Sequence, residues 1–355
     1  MPALEATQIL MIGLAFIASA LLTGLVRLWA MRLHVIDTPN DRSMHVVPVP
    51  RGGGLSFAIL IVVCWGLFAW GGLLPITLCL ALSLPPFAVA LIGLLDDFRD
   101  TSRRLRLSVQ LASAAIGILI IGSLPSLNLP SGSWQPSLLL LPLAVVFLVW
   151  LSNLFNFMDG INGLAGMEAV TVLAGAAYLA LEHNPSGWSF ALLVLAAIIA
   201  GFVPWNFPRA RIFMGDCGSG FLGALIGLLA LASAVESILS VWSWMILLGV
   251  FIVDASYTLA RRFFSGQAWN EPHRRHAYQI ICQHTDSHTG VTLGVVAINL
   301  LWLLPLAKLA QFSPQGLYWL ILAYIPLIAV CLWVNAGSLE NDNAPHGAAK
   351  PLKKG

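Results

Sequence analysis

Charge is what this 355-residue chain has least of. Asp, Glu, Lys and Arg make up 10% of it, against about 25% in a typical soluble domain. That excludes a surface able to live in water along most of the length. With 18 basic and 16 acidic residues, no nucleic-acid partner is expected. Cysteine is sparse too. Cys64, Cys79, Cys217, Cys282 and Cys331 are scattered without metal-type spacing, so they read as free buried thiols. A basic segment ahead of the first apolar run is also missing. Arg27 and Arg32 follow residues 7–30 rather than precede them, which favours a first transmembrane helix over a cleaved signal peptide. There is no internal repeat and no soluble domain.

What is present is apolar: 58% of the residues are hydrophobic. A membrane span needs about 20 such residues. Eleven runs qualify, near 8–30, 54–71, 73–94, 106–123, 138–155, 164–182, 188–204, 218–234, 239–260, 290–309 and 316–334. If the N-terminus lies outside, every Lys and Arg except Lys308 falls on the inner side, as the positive-inside rule asks. An even number of spans would scramble this alternation. The expected fold is therefore all-α: a polytopic integral membrane protein of eleven transmembrane helices, with its C-terminus cytoplasmic. Residues 1–336 read as one catalytic domain, and the polar segment 337–355 as a disordered cytoplasmic tail. The uncharged segment 124–137 reads as a capped turn on the outside.

Acidic residues gather on the inner face. Asp96 and Asp97 follow a span directly, and the D-D-x-x-D spacing predicts one of them near Asp100 on a shared helical face. Adjacent carboxylates repel unless a cation holds them, and hard oxygens suit Mg²⁺, which keeps waters and takes substrate phosphates. A solvated helix end paired with Arg103 and Arg104 is the competing reading. The stretch 151–166 breaks an apolar pattern with Asn153, Asn156, Asp159 and Asn162. Polar groups at the edge of a bilayer are costly and tend to be functional, although a turn with Asx caps would use the same residues. Gly215-Asp216-Cys217-Gly218-Ser219 enters a span, where a helix N-terminus suits an anion or a metal–phosphate. His273-Arg274-Arg275-His276 forms a cationic patch for a diphosphate. Arg42 and Arg51 sit in a Pro- and Gly-shaped loop and could reach an anion. Asp254 lies inside the ninth run, shallow enough to face the same site. Together the pattern asks for a Mg²⁺-dependent reaction on a phosphate or diphosphate, with a lipid-borne partner.

Four motifs in order, Asp96-Asp97, Asn156 to Gly163 (N-F-M-D-G-I-N-G), Phe213 to Ser219 (F-M-G-D-C-G-S) and His273 to Gln279 (H-R-R-H-A-Y-Q), resemble the polyprenyl-phosphate N-acetylhexosamine-1-phosphate transferases, in the WecA/WbpL-like branch related to MraY. The resemblance runs from about residue 32 to 285. It implies transfer of a sugar-1-phosphate from a UDP-sugar to undecaprenyl phosphate, with release of UMP, at the cytoplasmic face of a bacterial inner membrane. It implies that Asp216 is a Mg²⁺ ligand, with Asp96 and Asp97 the paired acids of the catalytic site and Asp96 a second metal ligand. Mn²⁺ is an acceptable substitute. It gives Asn156 and Asp159 to the wall of the nucleotide site, Phe213 to stacking on uracil, Asn206 to nucleotide contact, and His273 and His276 to the histidine motif. Asn162 stands where many relatives carry Asp, which argues against a ligand there. GlcNAc, GalNAc, FucNAc and QuiNAc donors all stay open, as does a homodimer. The competing classes are a polytopic prenyltransferase, which wants a second aspartate-rich motif, and a secondary transporter, which wants charges at mid-bilayer.

Overall fold

In an apolar solvent each backbone N–H and C=O must find its partner inside the segment, so long apolar runs fold as helices. The computed structural model describes residues 5–39, 44, 47–129, 132–134, 140–183, 187–267 and 273–338. Its helices are α1 (Ala6–Arg32), α2 (Gly54–Trp70), α3 (Ile76–Phe98), α4 (Arg103–Ile121), α5 (Leu141–Met158), α6 (Leu164–His183), α7 (Gly187–Asn206), α8 (Gly215–Val235), α9 (Val241–Leu247), α10 (Gly249–Phe264), α11 (Ala277–Thr285), α12 (His288–Ile298), α13 (Leu304–Gln311) and α14 (Gly316–Trp333). A π-helical turn, Asn299–Leu303, joins α12 to α13.

All eleven apolar runs fall on helices, and the all-α polytopic fold stands. The spans are less uniform than the sequence suggests. Among the described residues nine helices are long and apolar enough to cross a bilayer, with 288–311 counted as one. The ninth run is instead a pair, α9 and α10, bent by 75°. Helix α2 has 17 residues, at the short end of what a span needs. The segment 124–137, expected as a simple turn, contains an antiparallel hairpin of β1 (Leu127–Leu129) and β2 (Gly132–Trp134). A second small pair joins Ile36–Asp37 to Val49–Pro50. The predicted D-D-x-x-D helical face is not formed. Helix α3 stops at Phe98 and Arg99 is extended at φ −148°, so Asp100 lies beyond the helix and exposed.

Helix α8 is the most enclosed of the spans, whereas α1 and α4 present largely apolar outer faces. Glycines let neighbouring backbones reach α8. A Cβ on Gly93 of α3 would strike the backbone of Asp216, one on Gly223 of α8 would strike Leu151 of α5, and Gly54 of α2 faces Gly218 of α8 directly. The residue that matters most for function, Asp216, is thus located by a backbone-to-backbone crossing. Gly93→Ala forces α3 and α8 apart. Overpacking of this kind costs about 1–3 kcal/mol, so a lowered melting temperature in detergent is expected, together with lost activity. An unchanged melt would show that the crossing is loose.

Candidate active site

The site begins at the first turn of α8. Gly215 has φ 75°, a left-handed conformation that favours glycine, and a Cβ there would also meet the Asp97 carboxylate. Buried Asp97 accepts hydrogen bonds from the N–H of Asp216 (3.1 Å) and of Cys217 (3.2 Å). It therefore satisfies donors that a helix start leaves over. Arg51 donates through Nε to the backbone carbonyl of Asp97 at 2.9 Å. The two adjacent aspartates of the motif thus face different ways.

Asp96 accepts from the N–H of Thr101 (2.8 Å), from its hydroxyl (2.6 Å) and from Arg106 Nη1. The same Nη1 reaches Asp216 Oδ2 at 2.7 Å. Asn156 donates to Asp216 Oδ1 at 2.8 Å and to Ser219 Oγ at 3.2 Å. Carboxylates from α3 and α8 therefore share one cation supplied by α4, and α5 contributes the amide beside them. Two carboxylates able to share a cation fit Mg²⁺, which takes one or two such ligands and completes its shell with water and phosphate. An all-protein cage does not fit: among the described residues no cluster of three His, Cys, Asp or Glu could hold a metal.

Asp159 follows α5 directly. Burial and the nearby Asp216 and Asp97 charges hold its carboxyl well above the usual range. Behind it, Tyr278 donates to the Phe157 carbonyl at 2.9 Å, and Gly160 leaves the room that the phenol needs. Asn206 is buried and committed to backbone. Its Oδ1 accepts from Gly163 N–H (2.8 Å) and its Nδ2 donates to the Ile212 carbonyl (3.0 Å), so it clamps the loop after α5 to the loop before α8. Phe213 is half-buried there. Its N–H donates to Pro50 and its carbonyl accepts from Gly53, which ties in the loop that carries Arg51. Asn162 points elsewhere, donating to the Pro208 carbonyl at 3.1 Å. Arg42 lies outside the described residues.

His273 and His276 come together with ring centroids 4.9 Å apart. Burial, then His276 and Arg262, push the His273 pKa down to about 3. That ring is neutral at neutral pH, and the cationic patch read from H-R-R-H narrows accordingly toward its arginines. The Nε of Arg274 is buried with no hydrogen-bond partner among the described residues. A cavity of about 660 Å³ is lined by Arg106, Asn156, Asp216, His273 and His276 together with Val146, Trp150 and Leu259. One space thus offers polar and charged groups to a phosphate and apolar side chains to a chain. Arg106 is the residue that sequence reasoning undervalued. It figured only as an inner-face charge, and its signal was its place one helical turn into the segment after the acidic pair.

A polytopic membrane protein with paired acids, a bridging cation and a cavity lined by both polar and apolar side chains has the parts of a membrane transferase, and comparison with known proteins supports that class. Residues 79–234 match the family model "Glycosyl transferase family 4". The chain is 30% identical over 303 residues to the "Probable undecaprenyl-phosphate N-acetylglucosaminyl 1-phosphate transferase" of Bacillus subtilis, covering 83% of this chain and 84% of that one. It is 28% identical over 333 residues to the "Decaprenyl-phosphate N-acetylglucosaminephosphotransferase" of Mycolicibacterium smegmatis (82% and 81% covered). It is 27% identical over 322 residues to the "Undecaprenyl-phosphate alpha-N-acetylglucosaminyl 1-phosphate transferase" of Escherichia coli K12 (84% of each). The chain belongs to glycosyl transferase family 4, among the polyprenyl-phosphate N-acetylhexosamine-1-phosphate transferases.

The depressed His273 pKa makes a stability prediction. Unfolded, the ring takes a proton near pH 6.5; folded, it does so only near pH 3. Between those values the unfolded state binds more protons at this ring, so its contribution to stability rises with pH across that window. Asp159, held toward its protonated form, works in the opposite sense, so the ring is read by difference: on going from pH 7.5 to pH 5, thermal inactivation of His273→Gln should accelerate less than that of the wild type. An unaltered difference in the variant would contradict the assignment.

Proposed function

We propose that this protein transfers a HexNAc-1-phosphate from a UDP-sugar to undecaprenyl phosphate. UMP is released, and the lipid-diphosphate-linked sugar starts an O-antigen or another envelope glycan. The observation that carries this reading is the pairing of Asp96 and Asp216 on Arg106, beside a cavity that Arg106 and Asp216 line together with apolar side chains. The names of the relatives favour GlcNAc as the sugar, while GalNAc, FucNAc and QuiNAc stay within the donor class. The placement of basic residues supports a site on the cytoplasmic face of the inner membrane.

The acceptor phosphomonoester has a second pKa near 6, so at neutral pH it is already largely dianionic and needs little help from a base. One of its oxygens bonds to the β-phosphorus of the UDP-sugar. The bond from that phosphorus to the oxygen bridging it to the α-phosphorus breaks, and UMP leaves with the electron pair. Such a transfer depends mainly on positioning and charge neutralisation. Asp96 and Asp216 would hold Mg²⁺, or Mn²⁺ in its place, and the bound ion neutralises phosphate charge. Arg106, which the structure holds on those same oxygens, would be a second cation for the diphosphate. Asp159, with its carboxyl held toward the protonated form, can approach a phosphate oxygen as a hydrogen-bond donor instead of repelling it. Asn156 orients Asp216, Arg274 and Arg275 supply cations on the histidine side, and Phe213 offers a ring to the uracil. Asp97 acts by capping α8, Arg51 by anchoring the end of α3, and Asn206 by clamping the two loops.

The test is a membrane assay with labelled UDP-HexNAc donors, following lipid-linked sugar and UMP together. Wild type should form both only when Mg²⁺ and undecaprenyl phosphate are present. Asp216→Asn should lose about 100-fold or more of that activity, the scale on which site ligands and their supports act. No product with any UDP-HexNAc would sink the transfer reading. Wild-type turnover by the variant would sink the role given to Asp216.

A further inference from the structure

Asp254 lies in α10 and is buried. Four donors converge on its carboxylate. The N–H of Ala277 reaches Oδ1 at 2.8 Å and the N–H of Tyr278 reaches Oδ2 at 3.0 Å. The Thr258 hydroxyl donates to Oδ1 at 3.2 Å, and His276 Nδ1 lies 3.3 Å from the same oxygen. The first two are donors that the start of α11 leaves without intrahelical partners. A carboxylate can only accept, so the imidazole nitrogen facing it is placed to donate, although the Gln279 N–H also turns toward the His276 side chain. With the hydrogen on Nδ1, Nε2 is the other polar atom of the His276 ring.

The ring has little freedom around this bond. It stacks on Phe157 at 6.2 Å with 25° between planes, and on Tyr278 at 5.9 Å with 21°. His276 is itself buried and lines the cavity that holds Asp216 and Asn156. With its Nδ1 edge turned toward α10, the opposite edge of the ring is the one left for the cavity.

We propose that Asp254 is a positioning residue for the transfer reaction: it holds His276 in the Nδ1–H tautomer, so that Nε2 serves the phosphate end of the cavity. This rests on the transfer reading above. Asp254 acts through His276 and touches no substrate. Its replacement therefore costs activity only while His276 is there to be positioned.

The experiment uses the full chain in detergent or nanodiscs and has two independent arms. In the first, ¹⁵N-histidine spectra of the wild type, with the His276 signal assigned by its loss in His276→Gln, report the tautomer without any reaction. An Nδ1–H signal that shifts in Asp254→Asn is expected. A wild-type His276 protonated on Nε2 alone overturns the proposal. In the second arm, kcat and KM are compared for D254N, H276Q and the double variant. D254N should lower kcat by about 10- to 100-fold, as loss of an orienting partner does, with a smaller change in KM. In the H276Q background the same substitution should cost little more, because residues acting as a unit are non-additive. An equal further loss in that background overturns the proposal and marks Asp254 as a purely structural cap. If wild type transfers no UDP-HexNAc at all, the transfer reading fails while the tautomer measurement still decides the Asp254–His276 link.

Discussion

The hydrogen bonds from the first turn of α8 to the Asp97 carboxylate are the contact on which the site depends. A helix start leaves its first N–H groups without partners, and in a chain with so little polar surface those donors have few alternatives. Asp97 takes two of them. The contact fixes where α8 begins relative to the end of α3, and so sets the distance between Asp216 and Asp96. Gly215 and Gly93 are required by the same geometry, since a side chain at either would occupy the space in which carboxylate and backbone meet. A hydrogen bond contributes about 0.5–1.5 kcal/mol net, and a buried donor left without its partner costs about 1–3 kcal/mol.

From that fixed point the polar network spreads outward. Arg106 bridges Asp96 and Asp216, Asn156 closes on the other oxygen of Asp216, and Asn206 binds the loop after α5 to the loop before α8. Asp254 repeats on α11 what Asp97 does on α8. Two acids thus serve as caps, two share a cation, and Asp159 stays beside them in a setting that resists its ionisation. Environment, not residue type, divides these labours.

Much of the fold was legible because a bilayer-crossing chain has one economical solution, the apolar helix. Every run identified by hydropathy falls on helix, the ninth as a bent pair, and the acids and cations of the site stand near helix ends, where charges are less costly, while Glu168 is buried within α6 and Glu182 pairs with Lys308. The bend between Leu247 and Gly249 left no trace in hydropathy, since a broken apolar segment is as apolar as a straight one. The end of α3 at Phe98 was equally hidden, so Asp100 was expected on a face it does not share. Within the site, the gathering of Asp96, Asn156 and Asp216 followed from the order of the motifs. Whether an acid caps a helix or faces a substrate did not, because both tasks want a carboxylate near a helix end. That is why Asp97 looked like a twin of Asp96, and why Arg106 passed for a topological charge.

The central claim is that Asp96 and Asp216 form a site for one divalent cation, with Arg106 competing for the same oxygens. Titration of the purified protein with Mn²⁺, followed by electron paramagnetic resonance in the presence of UMP, addresses it most directly. The account predicts that Asp216→Asn abolishes the bound signal, whereas Arg106→Gln keeps it and tightens binding. Undiminished binding in the Asp216 variant, or loss of binding when Arg106 is replaced, would contradict it.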